Sequence, residues 1–183
     1  MKWALIALGV VAGLIAVVAV VGMMLPRDHV ASMSARIAAS PDSVWAALTD
    51  VAAFTSWRKD LTKVELLPAT ATGPSWREHS RNGPITFVAD AFEPPRRLVS
   101  RIADTNLAFG GSWEYRIEPD GPSASTVTIT ERGSVYNPIF RFVSRFVMGH
   151  TATIDAFLRA LARRFGSDAT PTAVSVAGGV GGT

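Results

Sequence analysis

Among the side chains predicted to face the interior, three could act as acids or bases or bind a polar head group: His150, Tyr115 and Glu131. His150 lies in SRFVMGHTATIDAF (144–157), where apolar residues recur every three or four positions, as on one face of a helix. A histidine on such a face is either a core residue bonded to a backbone carbonyl or an acid, or a group that orients a ligand. In an enclosed pocket it could also serve as a general acid or base.

Glu131 and Tyr115 lie in segments that alternate between apolar and polar residues, which is typical of half-buried strands. An acid on the inner face of a strand needs a partner such as His150 or Tyr115, unless it lies near solvent at the strand end. With ITFVADAFE (85–93) added, the residues predicted to face inward from the strands are Phe87, Ala89, Ala91, Trp113, Tyr115, Ile129 and Glu131. In SWREHSR (75–81), Trp76 and Glu78 share one face of the predicted strand. The sequence does not decide whether that face points inward.

Several other chemistries are not indicated. The sequence has no cysteine, no GxSxG, HExxH, Walker or Rossmann glycine motif, and its three histidines lack metal-ligand spacing. We therefore expect neither a metal nor a cofactor. The formal charge of +3, without a basic run, gives no reason to expect a nucleic-acid partner, although it allows weak attraction to an anionic membrane surface.

The N-terminal segment 3–25 is uncharged and long enough to cross a ~30 Å hydrocarbon core as a helix. A cleaved signal peptide is the alternative, but it usually has a shorter apolar region and a better cleavage site. We predict a single-pass anchor at 1–25 and a tether at 26–31. Lys2 on one side and Arg27 beside Asp28 on the other slightly favour an extracytoplasmic domain.

The rest of the chain predicts an α+β domain over residues 32–166. A strand at 32–39 is followed by a helix capped by Ser40, about six antiparallel strands from Lys63 onwards, and one long helix from Asn137 to about Phe165. On that helix Val147, His150 and Ile154 share the apolar stripe. The helix is the element large enough to cover the sheet. The tail 167–183 is predicted to be disordered.

The order of these segments resembles the START-like (helix-grip) superfamily, in particular its polyketide cyclase/dehydrase and lipid transport group, also called SRPBCC. The matching stretches include SPDSVWAALTDVAAFTSW, FEPPRRLVSRI, GSWEYRIEPDG and STVTITERGSVYNPIFRF, and they span about residues 30–165. The resemblance implies an antiparallel sheet curled around a long C-terminal helix, with an apolar cavity between them. It carries over no universal catalytic residue.

Three functions are compatible with these observations. The first is a membrane-tethered protein that binds or transports a small hydrophobic molecule or lipid in an apolar cavity. The second is a cyclase- or dehydratase-like enzyme that uses His150, Tyr115 or Glu131 as acid or base. The third is a non-catalytic interaction module whose interior is filled by its own side chains.

Overall fold

An antiparallel sheet forms the centre of the protein in the computed structural model, which describes residues 2–176. Within those residues the sheet has eight strands, in the order β2-β3-β4-β5-β6-β7-β1-β8. The strands are β1 (Asp28–Ile37), β2 (Leu61–Leu67), β3 (Ser75–Ser80), β4 (Gly83–Glu93), β5 (Arg97–Ile102), β6 (Phe109–Pro119), β7 (Ser125–Val135) and β8 (Thr172–Ala173). The predicted α+β helix-grip class is confirmed.

Short connections join the consecutive strands from β2 to β7, and each of these strands pairs with the next one along the chain. Two of the turns contain a glycine with a positive φ angle, Gly83 and Gly121. β1 follows β7 in the sheet and pairs with it along its whole length, and β8 pairs with the other edge of β1.

Five α-helices lie within the described residues: α1 (Lys2–Met24), α2 (Pro41–Thr49), α3 (Phe54–Trp57), α4 (Pro138–Val143) and α5 (Ala152–Arg164). A 3-10 turn at Val51–Ala53 joins α2 to α3. Ser40 caps α2 as predicted, because its side chain accepts a hydrogen bond from the Ser43 N–H at 3.3 Å. Asn137 caps α4 in the same way through the Phe140 N–H at 3.1 Å.

α1 is the element that could cross a membrane. It is a 23-residue helix, and an 18-residue window of it has a mean hydropathy of 3.0 and no buried residue. Its C-terminal end, at Gly22, contacts α4. A helix of this length spans about 34 Å. Length and composition of this kind fit either a membrane anchor or a signal sequence.

The core lies between α5 and the strands β1 and β7. Apolar side chains from both layers are fully buried there, which stabilises the contact by removing apolar surface from water. They are Ile37, Val127, Ile129, Ile154, Leu158 and Leu161.

The long C-terminal helix that the sequence predicts is broken in the structure. α4 is followed by a π-helical turn, Ser144–Met148, and the chain then leaves the helix at Gly149 before α5 begins at Ala152. Gly149 has φ +73° and ψ 157°, a backbone region that essentially only glycine adopts. As a result α5 packs on the sheet, whereas α4 turns away and packs on α1.

Two predicted boundaries also differ. The tether was expected to reach residue 31, but β1 begins at Asp28, because pairing with β7 extends the strand through His29. The tail was expected to be disordered from residue 167, yet Thr172–Ala173 pair with β1 at Met33 and Ser34. The remainder of that prediction, residues 177–183, lies outside the described residues.

The break in the C-terminal helix should depend on the backbone conformation of Gly149. No atom lies within 4 Å of a methyl group added there, so only backbone strain opposes Gly149→Ala. We expect this substitution to lower the free energy of unfolding by about 1–3 kcal/mol. Denaturant titration of the full chain in detergent micelles, followed by tryptophan fluorescence, measures the change.

Gly9→Ala in α1 is the control, because it also has space for a methyl group and its φ is not positive. An equal midpoint for Gly149→Ala and the wild type would show that the break does not depend on glycine.

Candidate functional site

An apolar surface remains half-buried on the inner face of the sheet where the C-terminal helix does not cover it. α5 packs on β1 and β7 and reaches β6 through Phe157, whose ring lies 5.8 Å from that of Trp113. Inward-facing side chains of β4, β5 and β6 are therefore only half-buried. We call this surface the inner groove, and it is lined by Ile85, Phe87, Ile102 and Trp113.

One end of the inner groove carries a polar cluster built around Glu131. The Glu131 carboxylate accepts a hydrogen bond from Trp113 Nε1 at 3.0 Å and pairs through its other oxygen with His29 Nε2 at 3.1 Å. The His150 ring stacks on His29, with centroids 3.9 Å apart and planes inclined by 23°. These four residues form the histidine–glutamate cluster.

Gly133 makes room for this cluster. It lies opposite His29 in the β1–β7 pairing, and a Cβ atom at this position would lie 2.4 Å from the His29 ring and 3.0 Å from Glu131 Oε1. Gly111 on β6 pairs with Gly133, so two neighbouring inward positions have no side chain. The His29 ring occupies the space over Gly133 and can therefore reach Glu131.

A second polar group lies on β3, centred on Glu78. Its carboxylate accepts hydrogen bonds from Arg58 at 2.9 Å and from Trp76 Nε1 at 3.0 Å. Burial disfavours the charged form of Arg58 and lowers its pKa. The nearby carboxylates of Glu78 and Asp60 together have the larger effect, so the pKa of the guanidinium is raised. Arg58 also lies over the ring of Phe157, 5.3 Å from its centroid, which connects this group to α5.

Tyr115 lies between the two polar groups. Burial, reinforced by the nearby negative charge of Glu78, raises the pKa of its hydroxyl above the ordinary value, so the group stays protonated at neutral pH. Tyr115 can therefore donate a hydrogen bond but does not supply a phenolate base.

His150 has the opposite tendency. Burial first, and then the proximity of His29, lower the pKa of the His150 ring below 6.5; Arg145 acts in the same direction and Glu131 opposes it. The ring is therefore neutral at pH 7, when it can accept a proton or a hydrogen bond.

The structure brings together most of the residues that the sequence predicted to line a cavity, in three different settings. Phe87 and Trp113 line the inner groove, and Glu131 and His150 belong to the histidine–glutamate cluster beside it. Those that face inward but are buried in the core are Ala89, Tyr115, Ile129 and Ile154.

Two predicted lining residues lie elsewhere. A β-bulge at Asp90 shifts the register between β4 and β5, so Ala91 pairs with Val99 on the outer face and Phe92 turns inward instead. Val147 is 72% exposed, because the π turn departs from the helix phase from which its position was inferred.

Three residues of these polar groups are not among the predicted site residues. The predicted tether includes His29. The alternation of His29, Ala31 and Met33, however, continues the β1 pattern and is a signal that the His29 ring faces inward. Glu78 lies on a strand for which the sequence does not decide which face points inward. Arg58 follows a four-residue helix, and no periodicity indicated where its side chain lies.

The interior beside the groove is closely packed. The space enclosed by residues such as Leu48, Trp76, Ala89 and Leu98 is about 10 Å³, which is room for at most one water molecule. Drug-sized ligands occupy sites of ~300 Å³ or more. A ligand of that size would therefore not fit in this enclosed space.

The buried pair of Arg58 and Glu78 leads to a stability prediction. Their side chains are 13% and 10% exposed. Arg58→Met leaves the Glu78 carboxylate without its cation, and we expect the free energy of unfolding to fall by about 3 kcal/mol or more. Arg36→Met is the matched control, because it breaks the exposed pair with Asp120 and should cost about 1 kcal/mol or less. Similar losses for both variants in denaturant titration would contradict the structural importance of the buried pair.

The lowered pKa of His150 leads to a pH prediction. The fold favours the neutral ring, so the unfolded chain takes up this proton more readily than the folded protein does. The contribution of His150 to the free energy of unfolding is therefore complete above pH 6.5, and it is lost as the pH falls through the lowered pKa of the folded protein. We expect the wild type to lose stability between about pH 7 and pH 5, and His150→Phe to have a shallower dependence while keeping an aromatic ring on His29. Unfolding titrations at both pH values measure the two slopes, and equal slopes for wild type, His150→Phe and His150→Gln would refute the assignment.

The pattern of the family described as polyketide cyclase / dehydrase and lipid transport matches residues 28–166. No curated protein matches the chain.

Solved structures share the fold at low sequence identity. A START superfamily protein from Mycobacterium smegmatis has a TM-score of 0.60 at 17% identity, covering 75% of this chain and 97% of its own. The Zhui aromatase/cyclase from Streptomyces sp. R1128 has 0.61 at 17% identity, covering 76% and 94%. Norcoclaurine synthase from Thalictrum flavum, solved with dopamine and hydroxybenzaldehyde, has 0.60 at 12% identity, covering 75% and 86%. Since the family pattern covers most of the chain, the protein belongs to the polyketide cyclase / dehydrase and lipid transport family.

Proposed function

We propose that the protein binds, and passes on, a small hydrophobic molecule or lipid that occupies the inner groove. The observation that carries this proposal is the set of half-buried apolar side chains on β4, β5 and β6 that α5 leaves uncovered. Ligand sites for such molecules are mostly apolar and have a few well-placed polar groups. The histidine–glutamate cluster and the pair of Arg58 and Glu78 supply polar groups next to this apolar surface.

The proposal includes α1 as an uncleaved membrane anchor. Its exposed apolar surface has no stable environment in water, whereas the helix length matches the hydrocarbon core of a bilayer. The slight excess of positive charge before α1 favours a domain on the extracytoplasmic side. Anchoring would keep the domain at the surface of the phase in which a hydrophobic ligand dissolves.

A second function, a cyclase- or dehydratase-like enzyme, is favoured by the neutral His150 ring. His150 lies against His29, which is paired with Glu131, beside a groove that could hold a hydrophobic substrate. Neutral imidazole next to a second ring and a carboxylate is a suitable general base. In that case His150→Phe should abolish turnover of a bound substrate while leaving its affinity within a few-fold of the wild type.

Ligand binding is tested by narrowing the groove. Ile102→Trp places a larger ring among Phe87 and Trp113, and we expect it to weaken binding of a fluorescent fatty acid at least about tenfold, equivalent to about 1.4 kcal/mol. Val30→Trp is the matched control, because Val30 pairs with Arg132 on the outer face and is exposed. Equilibrium titration of the full chain in nanodiscs gives both dissociation constants.

Native mass spectrometry of the purified full chain provides the complementary measurement. A hydrophobic molecule that remains bound in the wild type and is lost in Ile102→Trp would support the groove as its site. Equal affinities for the two tryptophan variants, with no bound molecule in either, would favour the interaction module instead.

A further inference from the structure

The structure shows a second apolar surface, on α4 and the π turn that follows it. Ile139, Phe140, Phe146 and Val147 are 42%, 42%, 60% and 72% exposed. We call these four residues the α4 surface. Residues 138–148 also contain Arg141 and Arg145 but no acidic residue. Exposed apolar side chains with basic residues among them are typical of segments that lie in the interface of an anionic membrane.

The α4 surface is held beside the C-terminal end of α1. The backbones meet at Gly22, where an added Cβ atom would overlap the carbonyl group of Pro138. Arg141 fixes this contact by donating hydrogen bonds to the carbonyl oxygens of Gly22 and Leu25, each at 3.3 Å. Carbonyls at a helix C-terminus have no partner within the helix, so the guanidinium both satisfies them and complements the helix dipole.

Arg141 also joins this contact to the sheet. The same side chain donates to the carbonyls of Val135, at the end of β7, at 2.9 Å and of Tyr136 at 3.0 Å. The end of α1, α4 and the end of β7 are therefore joined by a single side chain.

This position determines the depth of α4 if α1 spans a bilayer. Gly22 lies three residues before the end of the apolar stretch at Leu25, which corresponds to about 4.5 Å along the helix axis. The start of α4, in contact with Gly22, would then lie at the boundary between hydrocarbon and head groups. Tyr136, with Arg27 over its ring at 5.4 Å, lies next to it and has the composition of an interfacial anchor.

We propose that the α4 surface inserts into the lipid interface on the side where α1 ends, with anionic head groups around Arg145. The inference rests on the proposed membrane anchor. It goes further in making the domain contact the bilayer through α4, and not only through a tether. Because Phe140 stacks on Phe109, whose ring extends the inner face of β6, the inserted segment adjoins the end of the inner groove.

The test uses the absence of cysteine from the chain. Single-cysteine variants of the full chain carry a nitroxide at Val147, at Phe146, at Val10 in α1, and at Ser123 in the β6–β7 turn. The variants are placed in nanodiscs of phosphatidylcholine with phosphatidylglycerol. Power saturation then compares collisions with oxygen, which partitions into lipid, and with a water-soluble nickel chelate.

We expect the logarithm of the oxygen-to-nickel accessibility ratio to be positive at Val10, Val147 and Phe146, and negative at Ser123. A positive value at Val10 with values at Val147 and Phe146 equal to that at Ser123 would overturn the interfacial contact while leaving the anchor in place. A negative value at Val10 would overturn the anchor and, with it, this inference. Phe146 provides a second position if the label at Val147 disturbs the π turn.

Discussion

The break in the C-terminal helix at Gly149 is the constraint on which the arrangement of both apolar surfaces depends. A continuous helix would lie along the sheet and cover its inner face. The left-handed backbone at Gly149 instead lets α5 fill the core over β1 and β7 while α4 turns towards α1. One backbone angle thus leaves the groove on β4 to β6 open and presents Phe146 and Val147 on the outside.

The polar groups of the inner face are arranged so that few charges are left without partners. Glu131 and Glu78 each bond to a tryptophan N–H and to a basic residue, which offsets much of the cost of removing a carboxylate from water. Tyr115 stays protonated and His150 neutral, so neither side chain adds a charge to the interior. Such an interior suits a ligand that is apolar along most of its length and polar at one point.

Much of this architecture could be predicted from the sequence, because strand alternation and turn residues are local signals. They place Trp113, Tyr115 and Glu131 on one face without knowledge of their neighbours. The errors arise where one residue changes the phase of a pattern: the bulge at Asp90 for Ala91, and Gly149 for Val147. Local patterns could not predict the contacts of Arg58 and His29, because their partners lie 20 and 102 positions away in the sequence.

The proximity of α1 to the site bears on how a hydrophobic ligand could be exchanged. Molecules of this kind leave a bilayer slowly because each methylene exposed to water costs about 0.8 kcal/mol. A groove whose end lies next to a membrane-inserted segment would shorten or remove the aqueous part of that path. Phe140 of α4 stacks on Phe109 of β6, and this contact supplies aromatic surface between α1, on which α4 packs, and the end of the groove.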